Sequence, residues 1–306
     1  MEFKIPKITA KTKILAVIGD PIEHSMSPTM HNAAIEELNL DYVYVAFHVK
    51  SNNLEWACYG FRALDIKGIN VTIPHKVEIM KYLNEIDPIA KGIGAINTIK
   101  NEDGKLIGKN TDAEGFMKSL EDAGFNPSGK KCLILGCGGA ARAISFILAI
   151  KAKQIIITDI VPEVMNNLYK NLNEFYSNEE FKESIGIKNT PTFKKIPLNQ
   201  QALELELKDL DLLVNATPIG MHPNSNSSPL DGLNITLNSN IFVFDAVYNP
   251  IKTKLMKDAE KLGCKTLSGI DMLVNQGALA FEWWTGYKPN NKLMKEAAIK
   301  KLNIIK

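Results

Sequence analysis

KKCLILGCGGAARAISFILAI, residues 130–150, decides how the rest of the chain is read. An apolar run, Cys132–Leu135, enters a turn with glycines at 136, 138 and 139, and a long apolar stretch follows with no further Gly or Pro. A strand delivered through a glycine turn into a helix opens a βαβ unit. The pattern is a variant of G-x-G-x-x-G, with an additional glycine and an alanine where the third glycine usually sits. In such a turn Gly136 permits the tight bend and Cys137 lies within it. Gly138 and Gly139 let backbone N–H groups approach a pyrophosphate at the positive end of the helix, and Ala140 is small enough for close packing.

The next strand, QIIITD, places Asp159 at its end. A carboxylate there accepts hydrogen bonds from the ribose hydroxyls of NAD and repels the additional phosphate of NADP. Ile160, Val161 and Pro162 supply no cation to hold that phosphate. Asp159 can equally cap the helix that begins near Pro162, and the two roles are compatible. The expected cofactor is therefore NAD or NADP, with NAD favoured.

Working outward, LDLLVNATPIG and NIFVFDAVYNP read as later strands of the same sheet. Upstream, KILAVIGD (13–20), DYVYVAFHV (41–49) and IKGINVTIP (66–74) read as strands. They alternate with helical stretches at MHNAAIEELNL, NNLEWACYGFRAL and HKVEIMKYL, and Ser27 stands as a candidate cap before Pro28. Residues 170–208 read as helices and surface loops. The expected fold is α/β: an N-terminal α/β domain with a mostly parallel sheet (1–112), a Rossmann-like dinucleotide-binding domain (113–268), and C-terminal helices packing back on the first domain (269–306).

Composition narrows the function classes. With 306 residues the chain is long for one domain, and a net charge of +2 spread along it argues against nucleic acid as a partner. No apolar run reaches the roughly 20 residues that span a bilayer, and MEFKIPKITAKTK lacks the apolar core of a secretory signal. A cytoplasmic protein that binds small molecules is expected. Cys58, Cys132, Cys137 and Cys264 form no C-x-x-C pair and read as buried thiols. His24, His31 and His75 fit no metal spacing, so structural roles and no metal are expected, and Trp283 and Trp284 read as packing residues.

GDPIEHSMSPTMHN, GINVTIPHK, GAINT, GKNTDAEGF, LGCGGAAR, NATPIGMHP, VYNPIKTKL and GIDMLVNQGALAFEWWTG follow one another in this order over nearly the whole chain. Together they resemble the shikimate dehydrogenase family, including its quinate/shikimate branch. The resemblance implies reversible reduction of 3-dehydroshikimate to shikimate with a nicotinamide cofactor, a step in aromatic amino acid biosynthesis. It implies substrate on the first domain and C-terminal helices, dinucleotide on the second, and hydride transfer in the cleft between them. Lys76 and Asp112 match the family's catalytic pair. An ammonium gives a proton to the alkoxide that develops as hydride reaches a ketone carbon, and the carboxylate holds the flexible amine in place. A small carboxylate bearing several hydroxyls needs short polar side chains from several loops. Ser25 and Ser27 match the carboxylate-binding serines, Thr72 and Asn97 match hydroxyl-binding positions, and Tyr248 and Gln276 match further substrate contacts. Thr217, Gly269 and the backbone near Ala246 match positions lining the nicotinamide.

Two departures refine the expectation. Many members carry an Asn-Arg-Thr type segment where this chain reads Thr158-Asp159-Ile160, which points to NAD. Several quinate-preferring relatives have threonine where Ser27 stands, so shikimate is the expected substrate, with an NAD-preferring quinate/shikimate dehydrogenase as the alternative. A catalytically silent NAD or shikimate sensor, and a dehydrogenase acting on folate or an amino acid, are the readings of other classes. A monomer or homodimer is expected.

Overall fold

In a computed structural model, residues 8–184 and 190–304 are described. The reading of residues 1–13 therefore lies partly outside the described residues, as does that of 170–208 at positions 185–189. The chain divides into two units, Met1–Thr111 with Val274–Lys306, and Asp112–Leu273.

The first unit runs β1 (Lys13–Gly19), α1 (Ser27–Glu37), β2 (Tyr42–His48), α2 (Leu54–Ala63), β3 (Gly68–Val71), β4 (Glu85–Ile86), α3 (Pro88–Ile93), β5 (Thr98–Glu102) and β6 (Lys105–Lys109). The second runs α4 (Thr111–Asp122), β7 (Lys131–Leu135), α5 (Gly139–Ala149), β8 (Gln154–Thr158), α6 (Pro162–Tyr176), α7 (Glu179–Ser184), β9 (Thr192–Lys195), α8 (Gln200–Leu207), β10 (Leu212–Asn215), β11 (Phe242–Asp245), α9 (Lys254–Lys261) and β12 (Lys265–Ser268). Helix α10 (Gly269–Thr285) starts in the second unit, its residues from Val274 onward belong to the first, and α11 (Asn291–Ile304) packs on α1.

The first sheet has the order β2-β1-β3-β5-β6-β4. Strand β1 is parallel to β2 and β3, and Leu15–Ile18 are buried on both of its faces, the pattern of a central parallel strand. The βα alternation stops after β3. Strands β3, β5 and β6 pair antiparallel, and β5–β6 is a hairpin turned by Asp103 and Gly104, both at positive φ. Asp-Gly is the local signal for that turn.

Three details differ from the sequence expectations. HKVEIMKYL is not an α-helix: after one turn closed by Ile79 N–H on the His75 carbonyl, Glu78–Tyr82 form a 3₁₀ segment. The stretch is too short before the chain leaves for β4 to repay helix nucleation. Ser27 does not cap α1. It is the first helical residue, Met26 precedes it without a side-chain cap, and Pro28 takes the second position. The stretch 170–208 also holds a strand, β9, an exposed edge on which Phe193 packs against Tyr176.

The second sheet is wholly parallel, in the order β12-β11-β10-β7-β8-β9. From β7 the chain proceeds outward through β8 and β9, then returns to β10 and proceeds the other way through β11 and β12. The loops after β7 and β10 are thus neighbours at the point where strand order reverses, the place where open α/β sheets bind ligands. Among the described residues no helix is long and apolar enough to cross a membrane.

Candidate active site

The predicted residues fall into two groups, one in each unit. In the first unit Asn97, which follows α3 and precedes β5, is the hub. It is buried, and its Oδ1 accepts from the Thr111 N–H at 2.7 Å and from the Thr111 and Thr98 hydroxyls. Its Nδ2 donates to Thr111 Oγ1 at 3.0 Å and to Gln276 Oε1 at 3.3 Å. One residue before it, the Ile96 N–H donates to the Lys76 carbonyl at 2.7 Å. The backbone of Lys76, the Asn97 amide, Gln276 and Thr111 therefore form one hydrogen-bonded cluster, and Asp112 is the residue after Thr111. Lys76 is half-buried and Asp112 is buried.

The cluster continues toward the serines. Asn70 Nδ2 donates to the Asn97 carbonyl and to Thr98 Oγ1, both at 3.2 Å, and Asn70 Oδ1 accepts from the Tyr44 hydroxyl at 2.7 Å. That phenol is also hydrogen-bonded to Ser27, and burial pushes its pKa well up. Because Ser27 is not consumed as a cap, its hydroxyl is available to this network. Ser25 Oγ accepts from the Ser27 N–H, and the Ser25 carbonyl accepts from Lys301 Nζ at 3.2 Å. Thr72 follows β3, half-buried, with its N–H on the Ile18 carbonyl. Tyr44, Asn70, Thr98 and Thr111 were not singled out from sequence. Asn70, Thr98 and Thr111 lie inside quoted motifs, but the pairing of Tyr44 with Asn70 leaves no local signal.

His75 and His31 make packing and backbone contacts. His75 bonds the Val49 carbonyl at 2.6 Å. His31 stacks on Tyr44 with ring centroids 4.2 Å apart, its ring nitrogens have no partner, and burial lowers its pKa to about 3, so it is neutral. Trp284 is core, donating to the Ile99 carbonyl, whereas Trp283 carries the ammonium of Lys109 over its ring. Among the described residues no group of three or more His, Cys, Asp or Glu is placed to hold a metal ion.

In the second unit the glycine turn has the features a pyrophosphate requires. Gly136 has φ +95°, and a Cβ there would stand 2.8 Å from Thr217 Cγ2 and 3.2 Å from the Ala216 carbonyl, so the loops after β7 and β10 touch only because residue 136 is glycine. Gly138 precedes α5 without a side-chain cap, and a Cβ on it would meet nothing within 4 Å. Gly139 and Ala140 form the first turn of α5, whose N–H groups have no partner within the helix. Asp159 receives the Cys137 N–H at 2.7 Å on one oxygen and the Val161 N–H at 2.8 Å on the other. It does not cap α6, whose N-cap is Val161 without a side-chain bond. It ties the end of β8 to the glycine turn, and each oxygen keeps a lone pair for a ribose hydroxyl. The Cys137 thiol is buried and pushed up to about 12 by desolvation, which leaves it inert. Thr217 donates its N–H and hydroxyl to Asn215 Oδ1, and Gly269 lies against the Ala246 carbonyl. Tyr248 lies in this unit, half-buried, its hydroxyl pKa raised by burial. The open face at Gly138, the glycine-only contact at 136 and the carboxylate at the end of β8 fit a nicotinamide dinucleotide.

Over 295 residues the chain is 46% identical to the shikimate dehydrogenase (NADP(+)) of Methanocaldococcus jannaschii, covering 96% of this chain and 99% of that one. The chain belongs to the shikimate dehydrogenase family. The model of the shikimate dehydrogenase substrate binding domain matches residues 17–99, and that of the shikimate 5'-dehydrogenase C-terminal domain matches 269–299. A crystal structure of shikimate dehydrogenase in complex with NADP+ superposes with a TM-score of 0.84 at 45% identity, covering 96% of this chain and 97% of that one. The shikimate 5-dehydrogenase of Listeria monocytogenes, solved with shikimate and NAD, also gives 0.84, at 38% identity over 96% of this chain and 98% of that one. Within the family frame, the substrate-domain match contains Ser25, Ser27, Thr72, Lys76 and Asn97, and the C-terminal match contains Gly269 and Gln276.

Proposed function

We propose that the chain is a shikimate dehydrogenase that transfers hydride reversibly between shikimate and a nicotinamide dinucleotide, with NAD preferred. The observation that carries the substrate reading is the hydrogen-bonded cluster around Asn97, which gathers the backbone of Lys76, Gln276, Thr111 and, through Asn70 and Tyr44, Ser27. It offers donors and acceptors to an acid with several hydroxyls, and the buried partners are already fixed before a ligand arrives. Ser25 and Ser27 bind the carboxylate, and Thr72, Asn97, Gln276 and Tyr248 bind the ring substituents.

When bound, the nicotinamide accepts or supplies the hydride. Lys76 takes the proton from the reacting hydroxyl during oxidation and returns it to the alkoxide during reduction. Asp112 holds the Lys76 amine at that oxygen and keeps the developing charge balanced. The first unit with the C-terminal helices holds substrate. The second holds the dinucleotide at Gly136, Cys137, Gly138, Gly139 and Ala140, with Asp159 on the ribose and Thr217, Ala246 and Gly269 along the nicotinamide.

The preference for NAD rests on Asp159. Its carboxylate is fixed at the end of β8 by two backbone N–H groups, and the residues after it, Ile160 and Val161, are exposed and uncharged. A ribose phosphate would be brought against a fixed negative charge, and the residues that follow Asp159 along the chain supply no cation to offset it. The relatives named for NADP(+) make the opposite expectation explicit, and the two are separated by steady-state kinetics with both dinucleotides on both shikimate and quinate. The expected result is a kcat/KM with NAD about tenfold or more above that with NADP, and with shikimate above quinate. A preference for NADP overturns the role given to Asp159, and a preference for quinate overturns the reading of Ser27.

A further inference from the structure

Asp245 is a fully buried carboxylate to which the proposed reaction gives no part. It ends β11, one residue before Ala246. Its Oδ1 accepts from Asn215 Nδ2 at 2.9 Å and from the Val247 N–H at 3.0 Å, and its Oδ2 accepts from the Thr253 hydroxyl at 2.6 Å. Asn215 ends the neighbouring strand, β10. Its Oδ1 accepts the Thr217 N–H at 3.0 Å and the Thr217 hydroxyl at 2.7 Å, and its Nδ2 also donates to the Ile219 carbonyl. Thr253 is the N-cap of α9, accepting from the Met256 N–H. One carboxylate therefore fastens three segments at the ligand end of a parallel sheet: the loop after β10 carrying Thr217, the loop after β11 carrying Ala246 and Tyr248, and the start of α9.

We propose that Asp245 is a positioning residue for dinucleotide binding, holding through Asn215 and Thr253 the two loops that present Thr217 and Ala246 to the nicotinamide end of the cofactor. This rests on the assignment of those loops to the cofactor made above. A carboxylate serves better than an amide here because it accepts from every donor that reaches it, and charge-assisted bonds are about twice as strong as neutral ones. Its burial is a cost to folding that a purely structural acceptor would not need.

The cost has a measurable signature. Burial pushes the Asp245 carboxyl up from 3.8 to about 6. The folded chain thus holds this proton more tightly than the unfolded chain does. The contribution of Asp245 to stability is fully present below pH 3.8 and is lost as pH rises through about 6. Cofactor positioning runs the opposite way, because protonation removes the charge that strengthens the bonds from Asn215, Val247 and Thr253. Ionisable groups on the surrounding elements are His222 on the loop after β10, Tyr248 on the loop after β11, and Asp112 and Glu114 on α4, whose Phe116 packs on Phe244. Lys252 and Lys254 beside Thr253 are paired with Glu260 and with Asp231 and Asp258.

The test uses the full chain with Asp245→Asn, Thr253→Val, Thr253→Ser and, as a control for the imidazole on the loop after β10, His222→Gln. Dissociation constants for NAD and NADP are measured by fluorescence titration from pH 5 to 8, with thermal melting alongside. For Asp245→Asn the expected result at pH 7.5 is a melting temperature at least that of the wild type together with about tenfold weaker dinucleotide binding. The wild type and His222→Gln should lose affinity as pH falls through about 6, while Asp245→Asn should not. Thr253→Val should weaken binding and Thr253→Ser should restore it, which decides the matter should Asp245→Asn fold poorly. Affinity and acid limb unchanged in Asp245→Asn, or Thr253→Val binding as the wild type does, overturns the proposal. A wild-type chain that binds neither dinucleotide overturns the underlying assignment as well, and is told apart because the loss precedes any substitution.

Discussion

Replacing Lys76 with alanine is expected to lower kcat by about 10²–10⁴-fold while the KM for shikimate changes little. The proton on the reacting oxygen must leave as hydride departs the adjoining carbon, and a general base placed at that oxygen contributes in this range. In the proposed site, substrate binding is distributed over the buried cluster around Asn97, whose bonds to Thr98, Thr111 and Gln276 are made by the Asn97 side chain. The backbone carbonyl of Lys76 meets that cluster through Ile96, and alanine keeps this bond. The substitution therefore removes the amine while the Asn97 bonds to Thr98, Thr111 and Gln276 keep both their partners. Turnover within a few-fold of the wild type in stopped-flow and steady-state assays would show that the proton is handled by another group.

The second large effect is expected at Gly269. A Cβ there would stand 2.5 Å from the Ala246 carbonyl carbon and closer still to its oxygen, and both partners are backbone. The strands cannot part to make room, because Asp245 pairs with Ser268 in the ladder immediately before. Gly269→Ala should destabilise the fold by about 3 kcal/mol, lowering the melting temperature by roughly 5 °C. It should also weaken dinucleotide binding by about 100-fold, since relief requires Ala246 to move. Gly138→Ala is the informative contrast. Its Cβ meets nothing in the protein and its φ of −76° suits alanine, so melting should be unchanged while dinucleotide affinity falls. Equal losses of stability in both variants would show that the glycine turn is built for packing and not for a phosphate.

These expectations reflect what the sequence makes visible. The glycine turn, its strand and its helix are local, and they appear where residues 130–150 place them. The three apolar runs of the first sheet are equally local. Strand β12 is four residues long with an exposed first residue, and β9 is an edge strand of mixed polarity, so neither carries a periodicity that exceeds its surroundings. Ser27 before Pro28 has the chemistry of a cap, and only the backbone shows that the helix begins one residue earlier. The site is legible to the same degree. Asn97 and Gln276 belong to motifs, but their meeting spans 179 positions, and the link from Tyr44 through Asn70 to Asn97 joins segments whose proximity is a product of the sheet order. Asp245 is hidden for another reason: in FVFDAVYNP it reads as the polar end of a strand, and beyond the local Val247 N–H its donors come from Asn215, 30 positions away, and from Thr253.

The central claim is that hydride leaves the ring carbon bearing the hydroxyl whose proton Lys76 receives. Shikimate carrying deuterium at the carbon that becomes the ketone, incubated with the wild-type chain and NAD, tests it most directly. The account predicts that deuterium appears on the nicotinamide ring of the reduced cofactor and that a primary isotope effect is seen in single-turnover rates. Deuterium retained in the acid, or released to water, would contradict it.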